Sequence, residues 1–146
     1  MTSTEILQII TGFLGSFGFA ILFNIRGKRL LFAALGGFLS CALFVLLKFI
    51  TESEPIRYFI VSVTLSLYAE VMARCLKTPT STFIMTSLVP LIPGGSLYYT
   101  RASVFERSLE NFLSKAAYTL SLAVSLALGI VLTSACAKFI WHKKKQ

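Results

Sequence analysis

The sequence predicts an all-α integral membrane protein with about five transmembrane helices, the fourth of them broken at a Pro/Gly motif. Hydrophobic residues make up 55% of the chain, charged residues 14%, and the mean hydropathy is +0.78. This apolar excess is larger than one soluble domain of such length can bury. We therefore interpret residues 1–146 as a single transmembrane domain.

Five apolar stretches account for the predicted spans. Each has about 20 residues or more, and at about 1.5 Å per residue each can cross a hydrocarbon core of about 30 Å. They cover residues 5–25, 29–51, 56–77, 79–100 and 115–141. Before the fifth, apolar residues recur at helical spacing from Phe105 to Leu113. This pattern predicts a short amphipathic helix on the outer surface or an extension of the fifth span.

The fourth stretch contains Pro90, Pro93, Gly94 and Gly95 near its middle. Proline removes an amide donor and clashes with the preceding turn, so the helix is interrupted there. Lipid cannot hydrogen-bond the freed carbonyl groups, and such a break therefore needs protein or a hydrated cavity around it. Many secondary transporters build their substrate site from a broken helix, which makes transport the first functional hypothesis.

Hydroxyl groups around the predicted break complete a candidate binding site. Half-helix N-termini favour a carboxylate and free carbonyl groups favour a cation, and an amino-acid zwitterion carries both charges. Each hydroxyl can also simply bond back to its own helix. The predicted substrate-binding residues are Thr82, Thr86, Pro90, Pro93, Gly94, Gly95 and Ser96.

Apart from Glu5, the first residue of the 5–25 stretch, Glu70 is the only acidic residue inside a predicted span, and Arg74 follows it one helical turn later. A carboxylate in hydrocarbon is costly, so it should face protein or a partner. The pair can be a salt bridge at the helix end, with Arg74 reaching toward the surface. It can equally be a site for a proton or a substrate ammonium group. Both interpretations stay open, and Glu70 and Arg74 are the candidate ion-coupling residues.

Small residues recur in the first, second and fifth stretches, where they would let neighbouring backbones approach closely. A packing role needs no ligand and is the favoured interpretation. It implies a tight bundle or contact with a partner subunit. The residues are Gly12, Gly15, Ser16 and Gly18, then Ala33, Gly36, Gly37 and Ser40, then Ser121, Ser125, Gly129, Thr133 and Ala137.

Other classes of function find little support in the residues. The three cysteines are far apart and His142 has no Cys or carboxylate neighbour at ligand spacing, so we expect no metal site and no cofactor. The sequence lacks a nucleophile–base pair, a phosphate-binding loop and paired carboxylates, so we do not expect the protein to be an enzyme. The basic residues lie at the ends of apolar segments rather than on a polar face, which argues against nucleic-acid binding.

The distribution of charge predicts the orientation. Nine of the fourteen Lys and Arg residues fall in the two loops and the tail on one side of the membrane, whereas the other side carries five bases and five acids. The positive-inside rule then places the N-terminus outside and the C-terminus in the cytoplasm of a cell-membrane protein. The nine bases are Arg26, Lys28, Arg29, Arg74, Lys77, Lys138, Lys143, Lys144 and Lys145.

The most distinctive block of the sequence runs Glu70-Val-Met-Ala-Arg74-Cys-Leu-Lys77-Thr-Pro79-Thr-Ser-Thr-Phe83 and continues with Leu88-Val-Pro90-Leu-Ile-Pro93-Gly94-Gly95. This block resembles the threonine/serine exporter (ThrE) family. The earlier segments Gly18-Phe-Ala-Ile-Leu-Phe-Asn24 and Ala34-Leu-Gly36-Gly37 are also similar to that family. The likeness covers nearly the whole chain, and the length is that of the small YjjB-like subunit, which resembles the C-terminal half of full-length exporters.

The resemblance implies export of small metabolites driven by an ion gradient. Full-length relatives export threonine and serine, whereas the split arrangement is associated with succinate, so a dicarboxylate is the alternative substrate. A split system also implies a second exporter subunit, YjjP-like, resembling the N-terminal half of the family. From a different class, the chain could be a non-transporting membrane scaffold or assembly subunit whose kink is purely structural.

Overall fold

The computed structural model describes residues 3–92, 98, 101 and 109–142, and these form helices and short connections. Within these residues, four helices are long and apolar enough to cross a membrane, and the helix after the third is shorter. The helices are α1 (Ser3–Leu22), α2 (Lys28–Lys48), α3 (Glu54–Cys75), α4 (Thr80–Leu88), a 3₁₀ turn (Val89–Leu91) and α5 (Leu109–His142). The prediction of an all-α membrane protein is confirmed.

The two basic connections close the preceding helices in the same way. Asn24 and Lys77 both adopt a left-handed conformation, with φ of 56° and 49°. The amides of the residues that follow, Ile25 and Thr78, bond to carbonyls five residues earlier, at 3.0 and 2.9 Å. This is the Schellman arrangement, which satisfies the last carbonyl groups of a helix and turns the chain back. Successive helices therefore run antiparallel, with α4 returning along α3.

Two helix pairs are joined by the short broken helix. Helix α1 packs mainly along α2, and α5 packs along α3, whereas α4 lies in the angle between α2 and α3. The 3₁₀ turn at the end of α4 contacts α1 and α2. Phe83 of α4 is fully buried among small residues of the neighbouring helices. The broken segment is thus held by three of the long helices.

Small residues make the close helix contacts, as the sequence predicts. A Cβ atom at Gly37 of α2 would overlap the hydroxyl of Ser16 on α1, and one at Gly129 of α5 would overlap Ser62 on α3. Thr133 and Ala137, which continue the Gly129 stripe, are also buried. The packing interpretation is confirmed at these positions because their residues face other helices, whereas a Cβ atom at Gly15 or Gly18 of the first stripe would meet no other atom within 4 Å.

The fifth span begins earlier in the structure than the sequence predicts. Helix α5 begins at Leu109 rather than at residue 115, so the segment from 109 to 115 extends the last span. At about 1.5 Å per residue its 34 residues reach about 51 Å, more than the hydrocarbon core requires. The remainder of the predicted amphipathic segment, including Phe105, lies outside the described residues.

Candidate transport site at the helix break

The break in α4 follows from its prolines. The helix ends at Leu88, tightens into one 3₁₀ turn, and leaves helical geometry at Ile92, where ψ is 123°. Ile92 precedes Pro93, and a residue before proline is driven out of the helical region by the proline ring. Because Pro90 has no amide hydrogen, it cannot bond the carbonyl of Thr86 as a regular helix would require.

The carbonyl released by Pro90 is bound by another helix. The Ser16 hydroxyl of α1 donates a hydrogen bond of 2.8 Å to the Thr86 carbonyl oxygen, and both residues are fully buried. Ser16 can reach this position because Gly37 of α2, which it crosses, has no side chain. A small-residue contact thus provides the protein environment that a broken helix needs at membrane depth.

A cleft opens beside the break, between α1 and the 3₁₀ turn. Its larger part, with a volume of about 270 Å³, is lined by Gln8, Thr11, Gly12, Gly15, Cys41, Val89 and Pro90. A smaller recess of about 40 Å³ is lined by Gln8, Cys41, Phe44, Tyr58, Pro90 and Leu91. Gln8, Cys41 and Pro90 line both parts, so we treat the two as one cleft. It combines an amide, hydroxyls and interrupted backbone with apolar walls, which is the usual composition of a small-molecule site.

The predicted substrate-binding residues are distributed unevenly about this cleft. Pro90 lines it, but Thr82 and Thr86 are not among its lining residues. The Thr86 hydroxyl bonds back to its own helix, at 3.1 Å to the Thr82 carbonyl and 3.2 Å to the Phe83 carbonyl. The other four lie outside the described residues: Pro93, Gly94, Gly95 and Ser96. A role for any of the seven in binding substrate stays a prediction.

The predicted Glu70–Arg74 pair forms, but far from the cleft. Nη1 of Arg74 lies 2.7 Å from Oε2 of Glu70 and donates a 2.9 Å hydrogen bond to the Glu70 carbonyl. Glu70 is twelve residues beyond Tyr58 on α3, or about 18 Å along the helix axis. The candidate ion-coupling residues and the cleft therefore occupy opposite halves of the bundle, and an ion-coupling role stays a prediction.

A second set of charges closes the end of the bundle nearest the cleft. Lys48 of α2 pairs with Glu5 of α1 at 3.2 Å. On α3, Arg57 lies 3.5 Å from Glu54, whose other oxygen accepts a hydrogen bond from the Tyr118 hydroxyl of α5. The charge pattern of the sequence predicts that these residues lie on one side of the membrane but does not predict their pairings, because two of the pairings join residues of different helices.

Gln8 is the cleft residue that sequence reasoning missed, although a signal for it exists. It is a polar amide inside the first apolar stretch, one turn after Glu5. Polar side chains within a span are rare and commonly face a partner, a cavity or a substrate. Phe44 and Tyr58, whose rings meet edge to face with centroids 4.9 Å apart, carry no such signal because aromatic residues are ordinary in a membrane helix.

Several long apolar helices, a helix broken at membrane depth and a cleft beside the break define a multi-pass membrane protein of the transporter type. The model of the family described as "Threonine/Serine exporter, ThrE" matches residues 8–136, and the chain belongs to that family. The matched range contains the break and every residue that lines the cleft. The family is one of transporters rather than enzymes. No curated protein and no solved structure matches the chain.

Proposed function

We propose that this chain is one subunit of a secondary exporter of small metabolites, with threonine and serine as the favoured substrates. The observation that carries the proposal is the position of the cleft against the broken helix, inside the range matched by the exporter family. Cells that lack the exporter would accumulate its substrate, and an ion gradient would drive its efflux. Succinate or a related dicarboxylate is the alternative substrate.

The cleft suits a small polar solute. Its larger part, about 270 Å³, is below the range of about 300–1,000 Å³ that holds drug-sized ligands. Gln8 supplies an amide that can both donate and accept, and the Thr11 hydroxyl, which donates to carbonyls of its own helix, can still accept a hydrogen bond. These are the groups that recognise a hydroxy amino acid through its hydroxyl, ammonium and carboxylate. We therefore assign substrate binding to the α1 side of the break as well as to the broken segment.

The two helix pairs suggest how access would alternate. The α1–α2 pair and the α3–α5 pair flank α4, and the cleft lies on the α1–α2 side of that helix. Rocking of one pair against the other would expose the cleft first to one side of the membrane and then to the other. We propose the orientation given by the positive-inside rule, with the N-terminus outside and the C-terminus in the cytoplasm.

A second membrane subunit completes the proposed exporter. The resemblance to the small, YjjB-like half of the family supports a YjjP-like partner with the other set of helices. Helix α5 contacts mainly α3, and α1 contacts mainly α2 and the broken segment, so both outer helices have broad apolar faces available to lipid or to a partner. Full activity should therefore require both subunits.

The test is efflux of radiolabelled threonine, serine and succinate from cells that make this chain, the partner, or both. We expect efflux of a hydroxy amino acid only when both are made. Gln8→Leu should lower that efflux about tenfold, the value of roughly one good hydrogen bond. Thr64→Val is the matched control, because Thr64 is a polar residue in a span that bonds only to the Ile60 carbonyl of its own helix.

The outcomes separate the candidate functions. Efflux of succinate alone would replace the amino-acid substrate by the dicarboxylate. An absence of flux for all three solutes, with both proteins present in the membrane, would favour the scaffold. A Gln8→Leu protein that transports at the wild-type rate would place the substrate elsewhere in the bundle.

A further inference from the structure

Arg57 is the most unusual charged residue in the described part of the chain. Its side chain is only 8% exposed, and its Nε atom is buried without a hydrogen-bond acceptor among the described residues. A guanidinium group carries five donors, and a buried charge whose donors remain unused is unfavourable. Such a group needs an additional acceptor, and Arg57 lies beside the candidate transport site.

The existing partners of Arg57 use few of its hydrogen-bond donors. Its Nη2 lies 3.5 Å from Oε1 of Glu54, which is longer than the roughly 2.7–2.9 Å of a charge-assisted hydrogen bond. Glu54 is itself 43% exposed, and its other oxygen is engaged by Tyr118. The guanidinium carbon also lies over the ring face of Phe44, 5.3 Å from the ring centroid. A cation–π contact positions the charge but accepts no hydrogen bond from its edge.

The recess of the cleft lies on the other side of these aromatic contacts. Phe44 lines the recess and packs against both the Arg57 guanidinium and the Tyr58 ring. A change in the Phe44 rotamer would therefore connect the recess to the guanidinium. The edge formed by Nε and the adjacent Nη matches the two oxygens of a carboxylate, which a guanidinium binds in bidentate fashion.

We propose that Arg57 binds the carboxylate of the transported solute, with Phe44 as the side chain that admits it. This assignment rests on the proposed function and narrows it to solutes that carry a carboxylate. The incoming carboxylate accepts hydrogen bonds from the unpartnered Nε and from Nη2, whose pair with Glu54 is long, while Gln8 contacts the rest of the solute in the cleft. Glu54, held by Tyr118, balances the charge of Arg57 while the site is empty.

The test compares acids with their amides on the complete exporter. The two subunits are reconstituted together in liposomes, and unlabelled threonine, threoninamide, succinate and succinamide compete with the radiolabelled substrate. We expect the wild-type protein to prefer each acid over its amide by about tenfold or more. Arg57→Gln should abolish this preference. Arg57→Lys keeps the positive charge but loses the planar pair of donors that binds a carboxylate in bidentate fashion. It should therefore raise KM more than it lowers kcat.

Lys138→Gln is the matched control, since it removes one positive charge from an exposed position on α5. An acid preference that survives in Arg57→Gln would overturn the carboxylate site and leave the exporter function standing. A wild-type protein that responds to none of the four compounds would overturn both. Loss of both Arg57 variants from the membrane, with Lys138→Gln present at the normal level, would assign Arg57 to folding and overturn the proposal.

Discussion

Helix α3 carries two arginine–glutamate pairs of similar spacing and different character. Arg74 is 32% exposed, and it makes short bonds to the carboxylate and carbonyl of Glu70, one turn away on the same helix. Arg57 is 8% exposed, and its pair with Glu54 is long. The two arginines are seventeen residues apart, about 26 Å along the helix. The more buried guanidinium is thus the one with fewer bonds, the reverse of what stability alone would select.

We expect this difference to distinguish a structural ion pair from a charge that binds a ligand. An ion pair near a helix end can form from local sequence, with the long Arg side chain reaching toward the surface. A buried guanidinium whose Nε has no acceptor among the described residues gains nothing from that geometry, and a buried unsatisfied donor calls for a further partner. The comparison favours a structural role for Glu70 and Arg74 and a binding role for Arg57.

The largest effect that would sharpen the comparison is expected at Arg57. Removal of a buried, charged hydrogen-bonding group from a binding site costs about 2–5 kcal/mol, so Arg57→Gln should lower kcat/KM for efflux about 100-fold. Arg74→Gln should lower it less than threefold when rates are normalised to the amount of protein in the membrane. Equal losses in the two variants would erase the distinction.

The next effect concerns the break beside the cleft. Ser16→Ala removes the donor to the Thr86 carbonyl, which Pro90 cannot replace. A buried unsatisfied carbonyl costs about 1–3 kcal/mol, so Tm in detergent should fall by several degrees and transport should weaken with it. Ser121→Ala, whose hydroxyl bonds its own helix at an exposed position, is the control and should leave Tm nearly unchanged. A stable Ser16→Ala protein would show that the break does not depend on α1.

A smaller effect is expected from Glu70→Gln. Loss of a partly exposed pair should destabilise the protein by about 1 kcal/mol and reduce its abundance, with transport per molecule changed less than threefold. Efflux is measured with and without a pH gradient in the same liposomes. If Glu70→Gln accumulates normally but no longer responds to the gradient, the ion-coupling role is correct and the comparison between the two pairs is reversed.

The smallest effect is expected at Lys48, whose side chain is 59% exposed although its partner Glu5 is 8% exposed. Because the Lys48 ammonium stays largely in water, we expect the pair to contribute about 0–1 kcal/mol. Lys48→Gln should therefore change Tm by no more than a few degrees and leave the rate of transport nearly unchanged. A large loss of transport in this variant would mean that the Glu5–Lys48 pair controls access to the cleft, and Arg57 would then not be the principal charge at that end.

The fold was largely predictable because its causes are local. The apolar stretches, the basic connections and the break at Pro90 depend on residue types within a few positions of one another. The spacing of Glu70 and Arg74 also dictated their pairing, since one helical turn brings such residues together. The beginning of α5 was less certain, because an amphipathic extension and a surface helix have the same periodicity.

The candidate site was predictable only in part, because its groups come from separate elements. Sequence indicated Pro90, but only packing brings Gln8 and Tyr58 to the same cleft. The fate of the Thr86 carbonyl likewise depended on Ser16, seventy residues away. A freed backbone group must find an acceptor or donor, and the sequence does not say which helix provides it.

By itself, the sequence determined the membrane class, the family and the position of the break. Only the tertiary structure decided that Arg57 is buried beneath Phe44 while Arg74 lies toward the surface. Helical spacing sets which residues of one helix are neighbours, so it determines an ion pair such as Glu70–Arg74. The burial of a charge and its open edge depend on the other helices that pack around it, and those contacts exist only once the bundle has formed.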